Sequence, residues 1–286
     1  MKNLLYLFLS VLFTSGRNIA SKKTATHTNK LPQFFLSQTI LFVSATLLLL
    51  VFGVKDLTSI AYITLIYGII YGVLLVMSQW MLSLALKIGN TSICSVVYSL
   101  GFILPTVSGT LFWEEDLTFL NGVGIMVAIG IILLSAKKDF LEKQNSNKAF
   151  IVYLLIAMLS SGGLGIMQKV QQFSKNANQK VSFLLIAFCF AFFCSFIAFL
   201  LCREKAYFTV KNTFTPAFTG LCFGGANLCN TILAGRMKSA VFFPLQNIST
   251  ILLTSVLGIV ILKERLTVKT SIILFLGIIV IILFSI

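Results

Sequence analysis

Long apolar runs separated by short polar segments set the pattern of this chain. A helix needs about 20 residues, at ~1.5 Å each, to cross a bilayer core. Ten runs of roughly that length cover about residues 3–21, 33–54, 59–86, 91–113, 118–136, 149–171, 181–202, 214–236, 239–262 and 269–286. They are continuous rather than alternating, so they predict helices and exclude a membrane β-barrel. Together they nearly exhaust the chain and leave no room for a soluble domain.

The first run opens Met1-Lys2, continues through Leu4 to Phe13 and then turns to small residues, as a signal peptide does. It also has a counterpart in mid-chain. Leu5 to Lys22 (LYLFLSVLFTSGRNIASK) aligns without gaps on Val152 to Lys169 (VYLLIAMLSSGGLGIMQK). Tyr6 meets Tyr153, Gly16 meets Gly163 and Lys22 meets Lys169. A mid-chain copy is not a cleaved leader, so both are read as mature helices. The likeness continues. Gly68-x-x-x-Gly72 matches Gly220-x-x-x-Gly224, and Gly109 to Thr118 (GTLFWEEDLT) matches Gly258 to Thr267 (GIVILKERLT). The chain therefore reads as two five-helix repeats, 1–137 and 149–286, joined by a polar linker at 138–148. Five is odd, so the second copy enters the membrane from the opposite side. The expected fold class is an all-α integral membrane protein of ten transmembrane helices, built as two inverted repeats, a layout frequent in secondary transporters.

Polar side chains are shared unevenly among the runs. The fifth has none from Gly122 to Leu134, the tenth has none from Ile272 to Phe284, and the Phe-rich seventh is nearly as bland. Such helices suit a lipid-facing position. Six others carry Thr14, Arg17 and Asn18; Ser78, Gln79 and Trp80; Ser95, Tyr98 and Ser99; Ser160 and Gln168; Asn227, Asn230 and Thr231; Gln246, Asn247 and Thr250. An unpartnered amide in an apolar medium costs on the order of 2–7 kcal/mol. These groups therefore face one another or a wet cavity. The candidate solute-cavity set is Arg17, Asn18, Ser78, Gln79, Trp80, Tyr98, Gln168, Asn227, Asn230, Gln246 and Asn247. Interhelical hydrogen bonding is the plainer role for the hydroxyls and amides, and packing or an interfacial position for Trp80 and Tyr98.

Charge sharpens this picture. All eight acids (Asp56, Glu114, Glu115, Asp116, Asp139, Glu142, Glu204 and Glu264) lie at run edges or in loops. Arg17 therefore has no intramembrane carboxylate partner in sequence, and it is either a snorkelling helix-end residue or a cavity cation. Lys22 and Lys169 read as headgroup anchors at helix ends. A carrier of lipophilic cations usually needs a membrane carboxylate, so a neutral, zwitterionic or anionic solute fits better. The glycines of the first and sixth runs (Gly16, Gly162, Gly163 and Gly165) allow close helix approach or a helix break. Pro105 and Pro244 can bend the fourth and ninth runs.

Composition agrees with the class. The chain has 286 residues, 58% apolar and 10% charged, against about 45–50% and 25% in soluble domains. Disorder and a secreted disulfide scaffold are both excluded. The net charge of +14 sits in short segments suited to lipid headgroups, and no nucleic-acid platform is present. The six cysteines form no C-x-x-C pair, and His27 has no ligating neighbours in sequence, so neither a metal site nor a cofactor is expected. No nucleophile motif or phosphate loop occurs, so no enzyme is expected.

The tandem five-helix repeat, the two corners Gly109–Thr118 and Gly258–Thr267, and the segment Ala85 to Ser92 (ALKIGNTS) together resemble the drug/metabolite transporter superfamily, EamA type. The resemblance covers essentially the whole chain. It implies a ten-helix transporter whose central cavity is lined by helices 1, 3, 4, 6, 8 and 9, with Glu115 and Glu264 as corner residues. Lys263 and Arg265 stand where the first corner has Glu114 and Asp116. The resemblance places both termini in the cytoplasm, whereas the Lys/Arg count favours termini outside. The expected function is secondary transport of a small metabolite by alternating access, with a multidrug or organic-cation exporter or a non-transporting receptor as alternatives. The expected setting is multi-pass in a bacterial plasma membrane. The expected partners are a small-molecule solute and the bilayer, with a coupling proton or ion left open, and a monomer or weak dimer as the assembly.

Overall fold

The computed structural model describes residues 2–25, 31–53, 60–88, 94, 97–116, 118–140, 148–202, 210–262, 271–272 and 275–279. Most of the tenth run, residues 141–147 of the linker, Ser95, His27, Asp56, Glu142, Glu204, Glu264 and the outer-segment lysines and arginines at 263–269 lie outside these residues, as do the side chains of Lys22 and Lys87.

Among the described residues there are nine α-helices: α1 Lys2–Ala25, α2 Leu31–Gly53, α3 Tyr62–Ile88, α4 Ile103–Trp113, α5 Phe119–Phe140, α6 Lys148–Phe173, α7 Lys180–Leu201, α8 Val210–Ala234 and α9 Ser239–Leu262. They correspond in order to the first nine runs. In lipid, only structures that satisfy their own backbone can span, and a helix does so within one segment. Seven of them, α1, α2, α3, α6, α7, α8 and α9, are long and apolar enough to cross a membrane. The chain is an all-α, multi-pass integral membrane protein.

The fourth run departs from expectation. It is not one long helix: a 3-10 turn at Leu100–Phe102 leads into α4, which has only 11 residues. Pro105 is the third residue of α4, where a missing backbone N–H costs little. The corner after α4 is closed by Glu114, whose φ of 52° lies in the left-handed region. The Gly109 carbonyl accepts from the backbone N–H of Glu114, and also from that of Glu115 at 3.2 Å. α5 starts under a Thr118 cap, whose hydroxyl accepts from Asn121 N–H at 3.3 Å.

The chain divides into two compact units that both draw on each sequence half. Unit 1 is residues 1–76 and 168–235; unit 2 is residues 77–167 and 236–286. In unit 1, α8 packs on α1 and α2, and α2 packs on α7. Phe42, Ala45, Leu49, Phe183, Leu184 and Phe188 are fully buried there. The rings of Phe42 and Phe188 are 6.2 Å apart, and those of Phe188 and Phe223 5.5 Å. The first half of α7 is thus core, although the run was expected to be lipid-facing. Only its second half, with Phe193, Ile197, Leu200 and Leu201, presents exposed apolar side chains. The misreading arose because phenylalanine suits a protein core and a lipid surface equally.

Two glycine pairs set the helix approaches in unit 1. A methyl built on Gly68 or Gly72 of α3 would lie 2.8–3.1 Å from Ile186, Ala187 and Phe190 of α7. One on Gly220 of α8 would run into the Leu41 carbonyl of α2. In unit 2, α4 and α5 pack on α9. α6 is unbroken, and a methyl on its Gly162 or Gly165 would lie within 2.9 Å of Leu104, Pro105 or Phe243. Those glycines therefore serve close packing rather than a helix break. A second cluster joins Ala85, Cys94, Phe150 and Leu154.

Candidate solute-binding site

The densest buried polar cluster lies inside unit 1, where α3, α6 and α8 meet. Gly68 and Gly72 hold α3 against α7 and so bring Tyr71, which lies between them, into the interior. Its ring rests 4.9 Å from Phe183. Gln168 comes from α6 and Asn227 from α8. The Tyr71 hydroxyl donates to Asn227 Oδ1 at 2.5 Å. Gln168 Nε2 donates to Tyr71 Oη at 2.8 Å and to Asn227 Oδ1 at 3.3 Å. Asn227 Nδ2 donates to the Phe223 carbonyl at 2.8 Å. The relative exposures are 0% for Tyr71, 4% for Gln168 and 6% for Asn227. A buried amide leaves water only when it is paired, and this trio pairs three helices of one unit.

Other polar groups extend the cluster along α8. Asn230 accepts from the Ser10 hydroxyl of α1. Arg17 of α1 is half-buried and holds its guanidinium 4.2 Å over the Phe223 ring. That places it inside unit 1 on an aromatic face, a cation–π contact worth up to about 2 kcal/mol when desolvated. Asn18 is half-buried.

Lys169 overturns its expected role as a headgroup anchor. Its relative exposure is 0%, and its Nζ lies 5.3 Å over the Phe173 ring. The helix continues four residues past it, so the position that looked terminal in sequence is interior. Gln171 is also fully buried: its Nε2 donates to the Asn176 carbonyl at 2.9 Å, while its Oε1 has no hydrogen-bond partner. Thr64 of α3 is fully buried with an unpartnered hydroxyl.

The other candidates belong to unit 2. Ser78 is buried, and Gln79, Trp80, Tyr98, Gln246 and Asn247 are half-buried. Gln79 Nε2 is shielded without a hydrogen-bond partner. Asn247 Nδ2 donates to the Ser99 carbonyl at 3.0 Å, and Gln246 Nε2 reaches Thr250 Oγ1 at 3.5 Å. Several hydroxyls counted by sequence are spent on their own helices: Thr14 donates to the Ser10 carbonyl and Thr231 to the Asn227 carbonyl. Glu115 acts as a remote cap, since its Oε2 accepts from the Ser239 N–H at the start of α9 at 2.7 Å.

Of the candidates named from sequence, Gln168, Asn227, Asn230 and Arg17 lie in this region of unit 1, beside Tyr71, Lys169, Gln171, Thr64 and Ser10, which were not among them. Two signals could have found some of them. Tyr71 is framed by Gly68 and Gly72, and Gln171 lies three residues from Gln168, hence on the same helix face. The assembled groups are amides, hydroxyls, aromatic faces and two cations. That set can hold a polar solute by hydrogen bonds and breaks no covalent bond.

The comparisons with known proteins agree with this character. One solved crystal structure of a protein is similar over 99% of this chain and 96% of that one, with a TM-score of 0.79 at 14% identity, a likeness of fold alone. No curated protein sequence matches. The family model described as "Sugar transport protein" matches residues 113–286, more than half of the chain. The family thus shown has the drug/metabolite transporter character expected from the repeats, at the level of the superfamily rather than of its EamA type. With that match, and with helices long enough to span a membrane, the chain belongs to the sugar transport protein family of integral-membrane transporters.

Proposed function

We propose that this chain is a secondary transporter that moves a sugar or similar polyhydroxylated metabolite by alternating access. The observation that carries the reading is the buried Tyr71–Gln168–Asn227 trio. Amide and phenol groups donate and accept at once, and a sugar hydroxyl does the same. A polyol can therefore replace the bonds that the trio makes with itself at little net cost. Nearby rings of Phe183 and Phe223 suit the apolar face of a sugar ring. The family's own description names sugar transport.

The proposal keeps ten helices as two inverted repeats, 1–137 and 149–286, in a bacterial plasma membrane. Helix pairing supports the repeats. α3 packs on α7 through Gly68 and Gly72, and α8 packs on α2 through Gly220. Those seams exchange when each helix is replaced by its counterpart five places on. The Tyr71–Gln168 bond of α3 with α6 and the seam of α8 with α1 exchange likewise. The EamA-like likeness of the corners Gly109–Thr118 and Gly258–Thr267 belongs to this reading. So do the unit 2 residues Ser78, Gln79, Trp80, Tyr98, Gln246 and Asn247 as solute-facing groups. No membrane-spanning stretch named above contains Asp or Glu, so no residue of those stretches favours a carrier of lipophilic cations.

The test is uptake of labelled sugars, amino acids and organic cations by proteoliposomes holding the full chain. Sugar accumulation that is lost in Asn227→Ala and Gln168→Leu, with both variants still monodisperse, is the expected result. Flux of amino acids or cations without sugars would refute the reading.

A further inference from the structure

Within unit 1, α3 and α6 are tied to each other at two levels. Gln168 of α6 donates to the Tyr71 hydroxyl of α3 at 2.8 Å. Just before α3, the Ala61 N–H donates at 3.0 Å to Oε1 of Gln179, in the short turn Ala177–Gln179 that follows α6. The two helices therefore run antiparallel, and Thr64 and Gln171 fall between the ties. Thr64 lies seven residues before Tyr71, on nearly the same face and about 10.5 Å along the axis. Gln171 lies three residues past Gln168, about 4.5 Å along. Its Nε2 reaches onward to the Asn176 carbonyl at 2.9 Å, which draws the amide toward the level of Thr64.

Both side chains are fully buried, and neither Gln171 Oε1 nor the Thr64 hydroxyl has a hydrogen-bond partner. Other threonines of unit 1 behave differently. Thr39, Thr46, Thr219 and Thr231 each donate to the carbonyl four residues earlier, and Thr64 does not. The bond at Nε2 of Gln171 fixes which end of its amide is left over, and that end is an acceptor. A buried polar group without a partner has lost its water and gained nothing in return. Two such groups, on facing helices and beside the trio, point to something that pairs with them in another state of the protein.

We infer that Thr64 and Gln171 form a second subsite for a hydroxyl of the carried solute, one to two helical turns from the Tyr71–Gln168–Asn227 trio. This rests on the proposed sugar transport and adds two residues to its path. One sugar hydroxyl satisfies both groups at once: it donates its hydrogen to Gln171 Oε1 and accepts the hydrogen of Thr64. The subsite lies between the trio and the end of unit 1 marked by Ala61 and Gln179, so the solute passes that way when the α3–α6 seam opens.

The experiment is labelled-glucose uptake by proteoliposomes holding the full chain, paired with thermal midpoints. Thr64→Val replaces the hydroxyl by a methyl of the same shape. Its midpoint stays level or rises, while kcat/KM for uptake falls roughly two- to tenfold, the worth of one neutral hydrogen bond. Thr64→Ser recovers most of that loss. Gln171→Leu lowers kcat/KM by a similar factor, and the double variant loses less than the product, because one solute hydroxyl serves both. Unchanged kcat/KM in Thr64→Val overturns the inference and leaves sugar transport standing. A midpoint that drops by several degrees overturns it too, since the hydroxyl then holds the fold together. Labelling of Thr64→Cys by a membrane-impermeant thiosulfonate, with the parent chain as blank, separates solute from water and decides the matter if Thr64→Val aggregates. Labelling that glucose slows supports the subsite. Labelling indifferent to glucose marks a site for water alone, and no labelling from either side marks closed packing; both overturn it. No uptake of any sugar by the parent chain overturns the inference and the sugar reading together.

Discussion

Replacing Tyr71 by Phe removes one oxygen atom from the centre of the polar cluster and nothing else. The ring keeps its edge contact with Phe183 at 4.9 Å. Two hydrogen bonds disappear, one given to Asn227 at 2.5 Å and one taken from Gln168 at 2.8 Å. Gln168 and Asn227 retain their mutual bond at 3.3 Å, which can shorten once the hydroxyl is gone. Side-chain hydrogen bonds between membrane helices average ~0.6 kcal/mol and reach ~1.7. Two losses with partial recovery predict about 1–2 kcal/mol for Tyr71→Phe. Asn227→Ala removes the shared acceptor and leaves a small void, and should cost about 2–3 kcal/mol. The decisive quantity is their coupling. Both variants break the same 2.5 Å bond, so the double variant should be about 1 kcal/mol less destabilised than the sum. Unfolding followed by circular dichroism during detergent titration in mixed micelles gives all four corners of the cycle. Additivity within about 0.3 kcal/mol would refute the claim that Tyr71 and Asn227 bond directly.

Other perturbations test other parts of the fold. Gly220→Ala puts a methyl against the Leu41 carbonyl, a backbone atom that moves only if α2 does, and should cost about 3 kcal/mol; Gly224→Ala, whose methyl would meet Ala45 at 3.2–3.3 Å, should cost under about 1 kcal/mol. Thermal midpoints by fluorescence size exclusion would rank them, and equal midpoints would contradict the tight α8–α2 seam. Glu115→Gln keeps the shape of the remote cap but removes its charge at the start of α9, for a predicted loss of about 1 kcal/mol. Faster proteolysis or hydrogen exchange near Ser239 would report it, and unchanged exchange would argue against the cap. Asn247→Ala leaves the Ser99 carbonyl without its 3.0 Å donor just before the 3-10 turn, and should lower stability by about 1 kcal/mol. A midpoint unchanged from wild type would show that the bond contributes nothing.

Helix positions were legible because lipid imposes a length and an apolarity on every span, and nine described helices follow the first nine runs. Apolarity does not encode where a helix tightens. The fourth run therefore looked continuous although a 3-10 turn precedes Pro105. Gln168 and Asn227 stood out because amides are costly in apolar surroundings. Tyr71 did not, since a tyrosine between glycines reads equally well as packing. Lys169 was misplaced for a different reason. The polar stretch that follows it suggests a helix end, and only the continuing turn to Phe173 shows that its ammonium is interior. Hydroxyls were over-read as well, because sequence does not distinguish Thr231, which bonds its own helix, from a hydroxyl offered to a solute.

The glycine seams have a consequence for how this protein is made. Gly68 of α3 meets Ile186 of α7, and Gly220 of α8 meets Leu41 of α2. The ribosome adds roughly 5–20 residues per second. The 118 residues separating Gly68 from Ile186 take on the order of 6–24 s to synthesise at that rate. During that interval α3 stands in the bilayer with a notch that no neighbour fills. The early helices must wait as independently inserted spans, held by lipid or by the insertion machinery. Unit 1 can close only after the second half of the chain has emerged.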